Sequence, residues 1–82
     1  MLTIYSKSNC QYCVMAKQML DTKHIPYNEI KVDVIPAARQ FIIEAGHKTV
    51  PQIYKGDSLF VEGGYLGLIK LSDNEIKERL SH

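Results

Sequence analysis

Apolar and polar positions alternate from Leu2 to Tyr5 in residues that favour extended backbone, which predicts a short strand ending near Ser6. After a Lys7-Ser8-Asn9 loop the period lengthens. Cys13, Ala16 and Leu20 share one helical face with Met15 and Met19 beside them, so the spacing predicts a helix from Gln11 to about Lys23, its first turn carrying the cysteines. His24-Ile25-Pro26 breaks that helix, and the alternation of Ile30 and Val32 within Tyr27 to Val34 predicts a second strand, buried and parallel to the first. Pro36 suits the first turn of another helix, with Ala38, Phe41, Ile42 and Ala45 as its apolar stripe and Gly46 as its terminator.

Thr49-Val50-Pro51 leads into a strand at Gln52 to Lys55, a Gly56-Asp57 turn and a strand at Ser58 to Glu62, the spacing of an antiparallel hairpin that Gly63-Gly64 ends. Tyr65 to Leu71 reads as a short helix. Ser72 and Glu75, three residues apart, form a capping-box signal for a last helix that turns Ile76 and Leu80 inward. A right-handed βαβ unit, a hairpin and C-terminal helices together predict an α/β fold, a four-stranded mixed sheet flanked by helices, and this order resembles the thioredoxin-like arrangement. Without repeats, linkers or low-complexity tracts, residues 1–82 are expected to form one domain.

Hydrophobic residues at 45% and charged residues at 23% match an ordinary globular chain rather than a disordered one. A formal charge of +1 lacks the basic excess that nucleic acid binding favours. No apolar run approaches the roughly 20 residues of a membrane span, and Met1 is followed by alternation rather than by a signal-like segment. The expected location is the cytoplasm, with neither membrane nor nucleic acid as partner.

Both cysteines stand in Asn9-Cys10-Gln11-Tyr12-Cys13-Val14. As a staple the pair is poorly placed: in the loop-entropy model a bridge closing so few residues contributes only about 2 kcal/mol. In a reducing compartment an adjacent pair is catalytic or metal-binding. A zinc site within one chain needs two further ligands, and His24, His47 and His82 lack the spacing to supply them, so no metal is expected, although a cluster shared between two chains stays open. At a helix start Cys10 meets unpaired N–H groups and the positive end of the helix dipole, both of which favour thiolate, and Lys7 adds positive charge if the loop turns back. Cys13, one turn deeper, is then the resolving thiol to the attacking Cys10.

Tyr5-Ser6-Lys7 before Cys10-Gln11-Tyr12-Cys13, then Thr49-Val50-Pro51-Gln52-Ile53, then Gly63-Gly64, stand in an order and at a spacing that resemble the glutaredoxins over nearly the whole chain. The resemblance implies a glutathione-dependent thiol-disulfide oxidoreductase acting on protein disulfides and glutathionylated cysteines; a monomer is expected. It also implies a cis bond at Val50-Pro51 facing the active cysteine, with the Val50 backbone offered to an extended thiol peptide. By the same likeness Lys7 lies near the glycine carboxylate of glutathione, Tyr12 flanks the ligand, and Thr49 borders the groove. Backbone N–H groups of Gly64, Tyr65 and Leu66 are placed to meet the glutamyl carboxylate.

Two departures bear on the chemistry. Gln11 stands where the family commonly has proline, which restores an N–H to the first turn and alters the redox potential. After Gly64 the chain reads Tyr65-Leu66-Gly67, with no acid until Asp73, so the ammonium of glutathione loses the aspartate that many members supply. Two alternatives follow: a glutaredoxin-like redoxin reduced by thioredoxin reductase, serving for example ribonucleotide reductase, or a module binding an iron-sulfur cluster between two chains through Cys10 and glutathione.

Overall fold

A computed structural model describes residues 1–82. Along the chain run β1 (Leu2–Ser6), α1 (Gln11–Thr22), β2 (Tyr27–Lys31), α2 (Pro36–Glu44), β3 (Gln52–Lys55), β4 (Ser58–Val61), α3 (Gly64–Leu68) and α4 (Asp73–Ser81). The four strands form one sheet in the order β2-β1-β3-β4. β2 is parallel to β1, whereas β3 is antiparallel to both β1 and β4. This is the mixed, thioredoxin-like sheet expected from the element order.

The sheet has two differently covered faces. Leu2 and Ile4 of β1 and Ile53 of β3 are fully buried against Ala16 and Leu20 of α1, Leu68 of α3 and Ile76 of α4. Each fully buried Leu or Ile contributes about 1.5–3 kcal/mol, so this cluster is the principal source of stability. On the alternate positions, Tyr5 and Tyr54 pack edge to face at 5.6 Å, and Phe41 of α2 closes a triad with them at 5.3 and 5.2 Å. A register shift at Ile53/Tyr54 makes a bulge on β4, so that Phe60 and Val61 are buried in succession; the Arg79 guanidinium of α4 donates to the Phe60 carbonyl at 3.0 Å. The Ser72–Glu75 capping box that opens α4 is formed in both directions.

Three expectations are corrected. The second strand ends at Lys31 rather than Val34 and is a half-exposed edge, not a buried strand. Val32 still donates to the Ser6 carbonyl, but Val34 and Ile35 both donate back to Lys31, and this turn pulls the chain off the sheet into α2. On α2 only Ala38 and Ile42 are buried; Ala45 is exposed, and Phe41 remains 38% exposed because it meets the tyrosines from the rim. Finally, α3 starts at Gly64 and ends at Leu68, with a turn carrying the chain on to α4.

The turn into α3 is fixed by close backbone approach. Gly64 has φ +58°, and a Cβ there would run into the carbonyl oxygen of Pro51. Gly63, also left-handed at φ +86°, has no neighbour nearer than 3.4 Å to such a Cβ. Gly64→Ala is therefore expected to lose about 2–4 kcal/mol, from the left-handed backbone plus a forced shift of the Pro51 segment, and Gly63→Ala only about 1–2 kcal/mol. In a thermal melt followed by circular dichroism, the first substitution lowers Tm by about 10 °C or more. Equal losses for the two would contradict the collision.

Candidate active site

Antiparallel register sets Tyr5 opposite Gln52, so the chain leaving β1 and the chain entering β3 lie side by side at one end of the sheet. Cys10 follows the first and Pro51 precedes the second. Cys10 is the N-cap of α1, with extended backbone, and its Sγ accepts the N–H of Cys13 at 3.2 Å. No acidic residue occupies the first turn of α1. Nothing there offsets the positive helix end that would stabilise a thiolate. The two sulfurs are joined as a disulfide with Cα atoms 5.2 Å apart; Cys10 is partly exposed, whereas Cys13 is only 1% exposed.

Across from Cys10 the Val50-Pro51 peptide bond is cis. The Val50 carbonyl oxygen lies 3.8 Å from Cys10 Sγ, a contact rather than a hydrogen bond, since a disulfide sulfur carries no proton. Val50 makes no backbone hydrogen bond through its N–H or its C=O, so its peptide groups are free beside the sulfur. A groove of about 480 Å³ brings Lys7, Tyr12, Thr49 and Val50 together with Cys10. Pro51 is buried behind this wall and Gly64 packs on Pro51. Tyr65 stacks on Tyr12, with ring centroids 5.7 Å apart at 22°, and borders the groove through that ring alone.

Sequence reasoning missed two contributors. Lys48 lines the same groove, and its only signal was adjacency to Thr49. Buried Gln52 donates from Nε2 to the Thr49 carbonyl at 2.8 Å, fixing the segment that presents Val50; a polar residue just before the apolar pair Ile53-Tyr54 was the available hint. Leu66, where an acid was missed, is 48% exposed in the first turn of α3. No group of three or more His, Cys, Asp or Glu side chains is arranged to hold a metal ion.

Comparison with known proteins agrees with this geometry. The glutaredoxin family model matches residues 2–60, which include both cysteines and the Thr49-Val50-Pro51 segment. The chain belongs to the glutaredoxin family. It is 42% identical over 60 residues to the glutaredoxin-like protein NrdH of Lactococcus lactis subsp. cremoris, an overlap of 73% of this chain and 83% of that one. Its fold is similar to the buckwheat glutaredoxin-glutathione complex, with TM-score 0.77 and 25% identity over 98% of this chain and 76% of that one. It is also similar to the Escherichia coli NrdH-redoxin, a structure described as explaining a thioredoxin-like activity profile, with TM-score 0.65 and 27% identity over 72% and 82% of the two chains. As a glutaredoxin- or NrdH-like redoxin with a C-x-x-C pair, the chain is a thiol-disulfide oxidoreductase.

Beneath the dithiol helix this redoxin carries a small polar network. Ser6, fully buried at the end of β1, donates from Oγ to Glu29 Oε2 at 2.6 Å, and Lys17 of α1 donates to the same oxygen at 2.8 Å. The bond from Lys17, and then that from Ser6, hold the Glu29 carboxyl below the usual carboxylate range. A carboxyl whose folded pKa lies below its unfolded value, about 4.3, contributes stability that is complete above that value and is lost as pH falls through the folded pKa. Glu29→Gln is expected to be less stable than wild type at neutral pH and to lose less on acidification below about pH 4.3, as read from urea midpoints across pH. Parallel curves for the two proteins would show that Glu29 gains nothing from Lys17 and Ser6.

Proposed function

We propose that this protein reduces protein disulfides and glutathionylated cysteines through Cys10 and Cys13, as a cytoplasmic monomer whose dithiol is restored by glutathione. The observation that carries this reading is the unpaired Val50 edge facing Cys10 Sγ inside a groove that also holds Lys7. The Cys10 thiolate attacks one sulfur of the substrate disulfide and expels the other as a thiolate, leaving a mixed disulfide on Cys10. Cys13 then attacks the Cys10 sulfur, releasing the second substrate thiol and closing the intramolecular disulfide. Two molecules of glutathione reverse this, becoming glutathione disulfide.

Glutathione fits the groove as an extended thiol peptide. Its cysteinyl backbone pairs with Val50, its glycine carboxylate meets Lys7, and Tyr12 flanks it. The glutamyl carboxylate meets the N–H groups of Gly64, Tyr65 and Leu66. The ammonium has no carboxylate partner, because Leu66 stands there.

That last point favours a second reading, in which thioredoxin reductase is the reductant and ribonucleotide reductase a candidate substrate. The likeness to NrdH proteins supports it. Turnover assayed separately with glutathione plus glutathione reductase and with thioredoxin reductase distinguishes the two. The first reading expects turnover with glutathione, and a KM for glutathione about threefold lower in Leu66→Asp, the size of a partly exposed ion pair. Reduction by thioredoxin reductase alone would overturn it in favour of the second. Under either reading Cys10→Ser abolishes all exchange, while Cys13→Ser retains exchange with glutathione mixed disulfides and loses reduction of protein disulfides. A Cys13→Ser protein inactive in both assays would refute the assigned roles.

A further inference from the structure

Two grooves meet at Cys10. The second, of about 500 Å³, opens on the flank away from Val50, where Cys13 joins Cys10 in the wall with Val14, Lys7, Lys17 and Lys31. Every charged side chain lining either groove is a lysine; none of the chain's 9 carboxylate residues does so. Two carboxylates stand close behind the wall, and both are engaged. Glu29 holds Lys17 and Ser6, and Asp33 accepts the Ser8 N–H at 3.0 Å. Lys7, Lys31 and Lys48 have neither an ion pair nor a hydrogen-bond partner. Four lysines against two carboxylates leave a positive excess at the dithiol, in a chain whose whole formal charge is only +1. Charge of one sign in a concave site steers opposite charge toward it.

We infer that the second groove receives an acidic stretch of the protein whose disulfide is reduced, so that Lys31, with Lys7 beside it, selects substrates with glutamate or aspartate beside the reactive cysteines. This rests on the dithiol reading above. The exchange itself is unchanged: two electrons pass from the Cys10–Cys13 dithiol to the substrate disulfide, and the two thiol protons end on the substrate's sulfurs. The groove adds a preference among substrates. Cys10 and Cys13 both belong to its wall, so an acidic segment seated there remains in contact while Cys13 resolves the mixed disulfide. The exposed Val14 side chain gives the segment one apolar contact among the ammonium groups.

The test uses pre-reduced protein at stoichiometric concentration, which removes any dependence on the reductant. Two synthetic peptides share one intramolecular disulfide and differ only in carrying glutamate or glutamine at the positions flanking it. The second-order rate constant for the glutamate peptide should exceed that for the glutamine peptide by about tenfold at low ionic strength, and the two should converge in 1 M salt, where screening acts within about 3 Å. Lys31→Glu should cut the ratio of the two constants by about fivefold or more. Lys70→Glu, the same charge change at an exposed site lining neither groove, should leave that ratio as in wild type. Equal rates for the two peptides, or a ratio that Lys31→Glu and Lys70→Glu alter alike, would overturn the inference. Reduction of neither peptide would overturn the dithiol reading, and this inference with it.

Discussion

The pairing of β1 with β3 is the constraint on which the site depends. Because the two strands run in opposite directions with Tyr5 across from Gln52, the end of one and the beginning of the other lie together. A sulfur delivered just after β1 and a free backbone edge delivered just before β3 are thereby brought within 3.8 Å, although 40 residues separate them in sequence. Parallel pairing would have placed them at opposite ends of the sheet. The remaining parts secure the two arms: α1 begins at Cys10 and fixes the sulfur as its N-cap, while Gln52 and Gly64 hold the Thr49–Pro51 arm from either side.

Those two arms define the two reactive features of the site. On the first, the Cys13 N–H and the uncompensated start of α1 concentrate positive potential on one partly exposed sulfur, and its partner sulfur is sealed beneath it. On the second, the Val50 N–H and C=O make no backbone hydrogen bond beside that sulfur, while the Thr49 carbonyl before them is held by Gln52. Around the two arms, lysines line both flanks of Cys10, and Leu66 stands exposed in the first turn of α3.

Local signals made much of this legible in the sequence. The alternation of β1, the apolar spacing of α1, the Ser72–Glu75 box and the Gly56-Asp57 turn each act within a few residues, and each element forms where its signal lies. Cys10 as the N-cap followed from the start of a helical period at Gln11. What sequence could not reveal depends on partners far along the chain. β2 reads as a buried strand because Ile30 and Val32 are apolar, yet its exposure is set by its edge position, which only the pairing order determines. Phe41 belongs to a helical stripe by spacing but meets Tyr5 and Tyr54 from the rim. The Tyr12–Tyr65 stack and the place of Lys48 in the groove likewise arise from contacts between elements.

The cap position of Cys10 is expected to make its sulfur a thiolate at neutral pH. This is tested most directly by titrating the thiolate absorbance near 240 nm in a Cys13→Ser protein, where Cys10 is the only thiol. The expected apparent pKa lies within the range of about 3.5 to 7.5 reached by cysteines at helix N-termini. A value at or above about 8.5, that of an ordinary cysteine, would contradict it.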